Sequence, residues 1–276
     1  MCDVTDVVAH RGSSADVPEH TLEAYVQAIA DGADALECDV RLTADGHLVC
    51  VHDRRIDRTS DGRGIVSTMT LSDLDHLDFG GWYGAQQAEG TEVEDDEPLV
   101  MDEERHKVLT LERLLELVVD SEREVGLAIE TKHPTRYAGL VEERTVGLLR
   151  RYGLARPRSE NDSRIRVMSF SQLSMRRVRA LAPGLPTVFL MERVPLRFRD
   201  GTLPFAAGIA GPSIDVVREH PRYIERVHRS GNRIHVWTVD DPADVDLCVR
   251  LGVDAIITNR PRDVLGHLGR TPATSA

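Results

Sequence analysis

The chain has no stretch approaching the roughly 18 uninterrupted apolar residues that a membrane-crossing helix needs, so an integral helical membrane protein is excluded. It is also short of positive charge. The 34 Lys and Arg residues face 46 Asp and Glu, and the resulting net charge of -12 disfavours nucleic acid or an anionic membrane surface as the main partner. Cysteine is scarce: Cys2, Cys38, Cys50 and Cys248 are too scattered for a CxxC metal pair or a disulfide framework and read as reduced structural thiols. The opening run Met1-Cys2-Asp3-Val4-Thr5-Asp6 carries neither the basic nor the apolar region of a leader peptide. The expected location is the cytoplasm, with no stable membrane anchor.

What is present is ordinary globular composition, with 41% hydrophobic and 29% charged residues in 276, enough to bury about three quarters of the unfolded surface. The negative charge is concentrated. Nine acidic residues and no Lys or Arg lie within 89–104, which leaves -3 for the rest of the chain.

Short β-branched runs alternate with helical periodicity. Strands are expected at 4–9, at 35–41 with 47–51 as one unit, and at 125–130, 165–170, 187–191, 206–209, 233–239 and 255–258. Leu111, Leu114, Leu115 and Val118 mark one amphipathic helix, and Leu22, Tyr25, Val26 and Ile29 another. Asp241-Pro242 reads as an N-cap followed by Pro at the first helical position, and Ser72 with Asp75 as a capping box. Eight βα units in 276 residues predict an α/β fold, a TIM-type (β/α)8 barrel forming one domain over 1–276. A small insertion follows the second strand, where 78–107 interrupts the alternation and includes the acidic loop 89–104; part of it is expected to be mobile. The tail 269–276 is expected to fray.

Reactive side chains of such a barrel sit at the C-terminal ends of its strands. There the sequence places His10-Arg11-Gly12, Glu37-Cys38-Asp39, His52-Asp53 and Glu130-Thr131-Lys132. Strand alternation turns Glu37 and Asp39 to the interior, with Leu36, Cys38 and Val40 on the other face, and puts Glu130 and Lys132 on one face. Three carboxylates that close repel unless a cation sits between them. An all-oxygen donor set favours Mg2+ or Ca2+ over zinc. Two histidines at neighbouring strand ends suit general acid and base catalysis, and Arg11 and Lys132 suit phosphate oxygens. Together these residues indicate hydrolysis of a phosphate ester.

The runs Val8-Ala9-His10-Arg11-Gly12, Pro18-Glu19-His20-Thr21, Glu37-Cys38-Asp39-Val40, Val51-His52-Asp53 and Glu130-Thr131-Lys132 strongly resemble the glycerophosphodiester phosphodiesterase family. The likeness extends to Ser169-Phe170, Val236-Trp237-Thr238-Val239 and Thr258-Asn259-Arg260-Pro261, nearly the whole barrel. The resemblance implies hydrolysis of small-molecule glycerophosphodiesters to sn-glycerol 3-phosphate and an alcohol. It assigns metal binding to Glu37, Asp39 and Glu130, acid/base catalysis to His10 and His52, and phosphate contact to Arg11 and Lys132. Glu19 joins the expected substrate-binding set, and Trp237 and Phe170 either line the pocket or fill the barrel. The family's small inserted subdomain maps onto 54–107.

Two departures stand out. The family's Pro-Glu-Asn-Thr reads Pro18-Glu19-His20-Thr21 here, and its Ile-Pro-Thr-Leu reads Val108-Leu109-Thr110-Leu111. The rival readings are lysophospholipase D-type hydrolysis of lysophospholipids and a noncatalytic phosphodiester-binding barrel.

Overall fold

The structure is a computed structural model that describes residues 5–83, 106–159 and 162–270. Eight parallel strands close on themselves: β1 (Asp6–His10), β2 (Ala35–Leu42), β4 (Gly126–Thr131), β5 (Ile165–Ser169), β6 (Thr187–Met191), β7 (Ile209–Pro212), β8 (Arg233–Val236) and β9 (Ala255–Thr258). Closure comes from β1, which pairs in parallel with both β2 and β9. One further strand, β3 (Leu48–Cys50), folds back antiparallel on the far end of β2, with Val40 opposite Cys50. The helices are α1 (Leu22–Ala30), α2 (Leu71–Asp75), α3 (Leu111–Asp120), α4 (Leu140–Arg151), α5 (Gln172–Leu181), α6 (Ile214–Glu219), α7 (Arg222–Arg229), α8 (Pro242–Leu251) and α9 (Pro261–His267).

Alternation along the strands sorts the core into layers. Val8, Ala35, Ala128, Met168, Val188, Leu190, Ile209, Ala255 and Ile257 fill the lumen of the barrel, which is therefore a packed core and not a pore. Leu36, Cys38 and Val40 face outward and pack with Leu111, Leu114, Leu115 and Val118 of α3, the stripe its sequence periodicity indicates. Of the α1 stripe, Leu22 and Tyr25 are buried while Val26 and Ile29 are partly buried, and Ala24 and Ala28 complete the inner face. A separate apolar cluster of Val49, Val51, Ile56, Val66, Leu74, Phe79 and Val108 holds the described part of the insertion onto the β2–β3 hairpin.

Several boundaries fall elsewhere than expected. Strand β7 is Ile209–Pro212 and not 206–209, because Pro204–Ala206 forms a 3-10 turn with Phe205 and Ala206 in the left-handed region. Pro212 ends this strand opposite Met191, where a missing N–H is tolerated. Strand β8 stops at Val236, after which Trp237 N–H donates to Pro212 and Val239 N–H to Ile257, so the segment changes partners. Strand β5 ends at Ser169, one residue early. The first strand runs to His10, one residue past the expected end. The α2 capping box is Thr70 with Asp73, not Ser72 with Asp75: the spacing of three occurs twice, and Asp45 accepts from Leu71 N–H to fix the start. Asp241 does cap α8, accepting from Ala243 N–H, with Pro242 at the first position. The acidic loop and its expected mobility lie outside the described residues, as does the tail beyond Arg270, whose guanidinium pairs with Asp34 at 2.6 Å.

Candidate active site

The C-terminal mouth of the barrel gathers the polar residues in an order set by strand register. His10 lies opposite Glu37 across β1 and β2, and Asp39 lies opposite Glu130 across β2 and β4. After β1 the chain turns sharply, with Arg11 at φ 60° and Gly12 at φ 85°. A Cβ on Gly12 would lie 2.6 Å from the Ala24 backbone, so only glycine lets α1 approach this closely. The turn aims Arg11 N–H at the Glu37 carboxylate (3.2 Å) and its side chain at Asp39 (Nε to Oδ2, 3.1 Å) and Glu19 (Nη1 to Oε1, 3.0 Å).

Glu37, Asp39 and Glu130 each offer a carboxylate oxygen within 4.8 Å of the others, and all three are buried. Burial and the two neighbouring carboxylates push Glu37 well up from the ordinary range. Glu130 is pushed up to about 7 by burial and by Asp39. Asp39 behaves oppositely: burial works against its charge, but His20, Lys132 and Arg11 hold it well below the ordinary range. Lys132 Nζ lies 3.2 Å from Asp39 Oδ1 and 3.0 Å from Glu130 Oε1. Asp39 Oδ1 nevertheless lacks a hydrogen bond of good geometry, a buried acceptor left for a further positive group. Three crowded carboxylates with such an acceptor fit a hard divalent cation.

The two imidazoles arrive by different routes. His10 closes β1, and its Nδ1 meets Asn259 Oδ1 at 2.7 Å, while Asn259 Nδ2 donates to Asp240 Oδ2 at 2.7 Å. Burial and then the Arg11 charge lower His10 to about 4, so it is neutral near pH 7. His52 does not end a parallel strand. It follows β3, which returns antiparallel along β2, so the hairpin delivers it beside the carboxylates. Its Nδ1 meets Asp53 Oδ1 at 2.8 Å, and Arg41 Nε and Nη2 donate to its carbonyl at 2.9 and 2.7 Å. Burial leads the causes that lower the His52 ring, and Arg11 and Lys132 add to it.

A cavity of about 220 Å³ opens at this point, lined on one side by His10, Arg11, Glu37, His52, Glu130 and Lys132. Met168, Phe170, Leu190 and Trp237 form its apolar side. Phe170 and Trp237 meet edge to face at 5.5 Å, and Trp237 Nε1 donates to Gly211 carbonyl at 2.7 Å. Trp237 thus lines the cavity and also packs against the lumen core. Two expected residues stand behind the wall: Asp39 is enclosed, and Glu19 reaches Arg11 without lining the cavity.

His20 fills the place where the family has Asn. It is buried, its Nε2 2.9 Å from Asp39 Oδ2 and its Nδ1 2.8 Å from Tyr25 Oη, which donates to Glu37 carbonyl. Sequence reasoning did not single out Arg58, Asn259, Asp240 or Glu192. Arg58 pairs with Glu19 at 2.8 Å and Asp53 at 2.6 Å, tying the insertion to the mouth. Against burial, Arg58 and Arg11 hold the Glu19 carboxyl down to about 2. Asn259 lay within a quoted motif, but its contact with His10 spans 249 residues and has no local signal.

A closed parallel barrel with acids, imidazoles and cations at its C-terminal mouth defines a TIM-barrel enzyme. The sequence model described as "Glycerophosphoryl diester phosphodiesterase family" matches residues 10–263, and the chain belongs to that family. A Mycobacterium tuberculosis protein named "Probable glycerophosphodiester phosphodiesterase 1" is 45% identical over 267 residues, covering 97% of this chain and 91% of that one. A Bacillus subtilis glycerophosphodiester phosphodiesterase is 34% identical over 92% of this chain and 83% of its own. Among solved structures, the glycerophosphodiester phosphodiesterase of Agrobacterium tumefaciens superimposes with a TM-score of 0.73 at 27% identity, covering 95% of this chain and 100% of that one.

Proposed function

We propose that the enzyme uses a divalent cation, Mg2+ or Ca2+, to hydrolyse glycerophosphodiesters to sn-glycerol 3-phosphate and an alcohol. The observation that carries this reading is one cavity lined by both imidazoles, two cations and two of three clustered carboxylates. Glu37, Asp39 and Glu130 would hold the cation, which when bound would supply positive charge to offset the negative charge developing on the phosphoryl group. Arg11 and Lys132 bind the remaining phosphate oxygens and orient the ester. Asn259 and Asp53 fix the two rings through Nδ1. One imidazole takes the proton of the nucleophile, and the other gives a proton to the leaving alkoxide. Glu19 acts from behind, fixing the Arg11 guanidinium, while Phe170 and Trp237 shield the apolar side of the cavity from water.

The domain arrangement in this reading is one barrel over 1–276 with an insertion over 54–107, of which Arg58 reaches the mouth through Glu19. A cytoplasmic site of action is supported by Cys38, Cys50 and Cys248, all buried and unpaired as suits a reducing compartment. No helix among the described residues is long and apolar enough to cross a membrane.

The test is release of glycerol 3-phosphate from glycerophosphocholine and glycerophosphoethanolamine, with EDTA, Mg2+ and Ca2+ arms and a Glu37→Ala control. Activity lost with EDTA, restored by one metal and absent in the control is the expected result. Folded protein that is inactive in every arm, or that turns over lysophosphatidylcholine alone, overturns the reading.

A further inference from the structure

Beside the mouth lies a second cavity, of about 230 Å³. Its walls come from β2, the segment after β3, the 3-10 turn Val66–Thr68 and the run that follows β4. Lys132 belongs to both cavities and forms the partition between them. Arg41, Arg54 and Arg136 complete the charged lining, so four cations and no carboxylate face this space in a chain whose net charge is -12.

Lys132 is committed to Asp39 and Glu130, but the three arginines are not neutralised in the same way. Among the described residues, Arg54 and Arg136 have no acidic partner. Arg136 only grazes Ser67 carbonyl at 3.5 Å and lies 5.6 Å over the Tyr137 ring. Arg41 commits Nε and Nη2 to His52 carbonyl and keeps Nη1. The walls are fixed, because Tyr137 Oη donates to Ser67 carbonyl at 2.9 Å and bolts the run after β4 to the insertion. Gathering like charges around a defined space is unfavourable unless an anion offsets them, and guanidinium forks match phosphate oxygens.

We propose that this second cavity is a binding site for a phosphoryl group, distinct from the position that the reacting phosphate takes between Arg11 and Lys132. The inference rests on the proposed reading only for its substrate consequence. Because Lys132 is shared, a glycerophosphodiester whose alcohol carries a phosphomonoester places its ester phosphate in one cavity and its second phosphate in the other. Free inorganic phosphate offers the same chemistry without the tether.

The test compares wild type with the double variant Arg54→Gln, Arg136→Gln, neither residue belonging to the proposed catalytic machinery. In calorimetric titration with inorganic phosphate, the variant should bind about tenfold or more weakly, and Arg54→Lys with Arg136→Lys should recover part of the loss. Any phosphate held in the catalytic cavity contributes equally to both proteins and cancels. Equal affinity in wild type and the Gln variant overturns the site. The source of the ligand is read from kcat/KM. A loss of about tenfold confined to a diester with a phosphorylated alcohol, with glycerophosphocholine turnover unchanged, identifies a tethered phosphate. Weakened phosphate binding with both diesters unaffected identifies free phosphate. Wild-type protein inactive on all diesters would defeat the proposed function while leaving the phosphate titration readable.

Discussion

His20 shows how one side chain can preserve a site while departing from its family's residue. Its ring joins Asp39 to Tyr25, and Tyr25 in turn holds the Glu37 carbonyl, so two of the three clustered acids depend on it. His20→Ala should weaken cation binding about ten- to a hundredfold, as loss of a ligand-orienting partner commonly does, and His20→Asn should recover most of it. Metal titration of the two variants decides the matter; identical affinities for both would detach His20 from the cation site. The imidazoles at the cavity carry a heavier expectation. His10→Ala and His52→Ala should each lower turnover at least about a hundredfold with the thermal transition preserved. Near-normal rates in either would remove that residue from the chemistry. At this scale the sequence was informative because strand alternation turns Glu37 and Asp39 to one face, and the β2–β4 register then sets Glu130 opposite Asp39. It was silent on Arg58, Asn259 and Asp240, whose contacts depend on loop paths that no period encodes.

At the scale of elements, legibility followed how much of the signal was local. The α3 stripe and the Asp241-Pro242 start of α8 were readable because a 3.6-residue period and a cap are written in consecutive positions. The β7 boundary fell elsewhere than the expected 206–209 because Pro204–Ala206 forms a turn, while Met191 gives Pro212 a strand partner that no local pattern encodes. The reversal of β3 was likewise hidden, since an extended run does not say which way it points relative to its neighbour. The turn after β1 yields a test of close packing. Gly12→Ala forces a methyl group to within 2.6 Å of the Ala24 backbone at a φ of +85°. It should cost about 1–3 kcal/mol in stability and displace Arg11, lowering activity and Tm together. Unchanged Tm would show that α1 can yield.

At the scale of the whole barrel, His235 is an acid-sensitive group lying away from the mouth. His235 is enclosed on the inner face of β8, and burial, with Arg166 and Arg233 adding, lowers its ring well below the usual value. Above about pH 6.5 it is neutral in both the folded and the unfolded chain and makes no difference. As pH falls below that, the unfolded chain takes up a proton that the folded one refuses, so stability declines by up to about 1.4 kcal/mol per pH unit. His235→Gln should therefore narrow the fall in Tm between pH 7.5 and 5.5. An unaltered fall would assign acid sensitivity elsewhere. The barrel as a whole was legible from the repeat of strand and helix, whereas closure through β1 was inferred from the count of units and not from any residue.

Closure also sets a timetable for synthesis. Residue His10 is made early, and the amide that steadies its ring, Asn259, follows 249 residues later. At roughly 5–20 residues per second that interval is on the order of ten seconds to nearly a minute. Throughout it the nascent chain holds most of its reactive groups yet has no finished site, because β9 must dock on β1 before Asn259 can reach His10. In the proposed reading, competence for hydrolysis is expected only once the last barrel strand has docked, so that catalytic activity would double as a report of barrel closure.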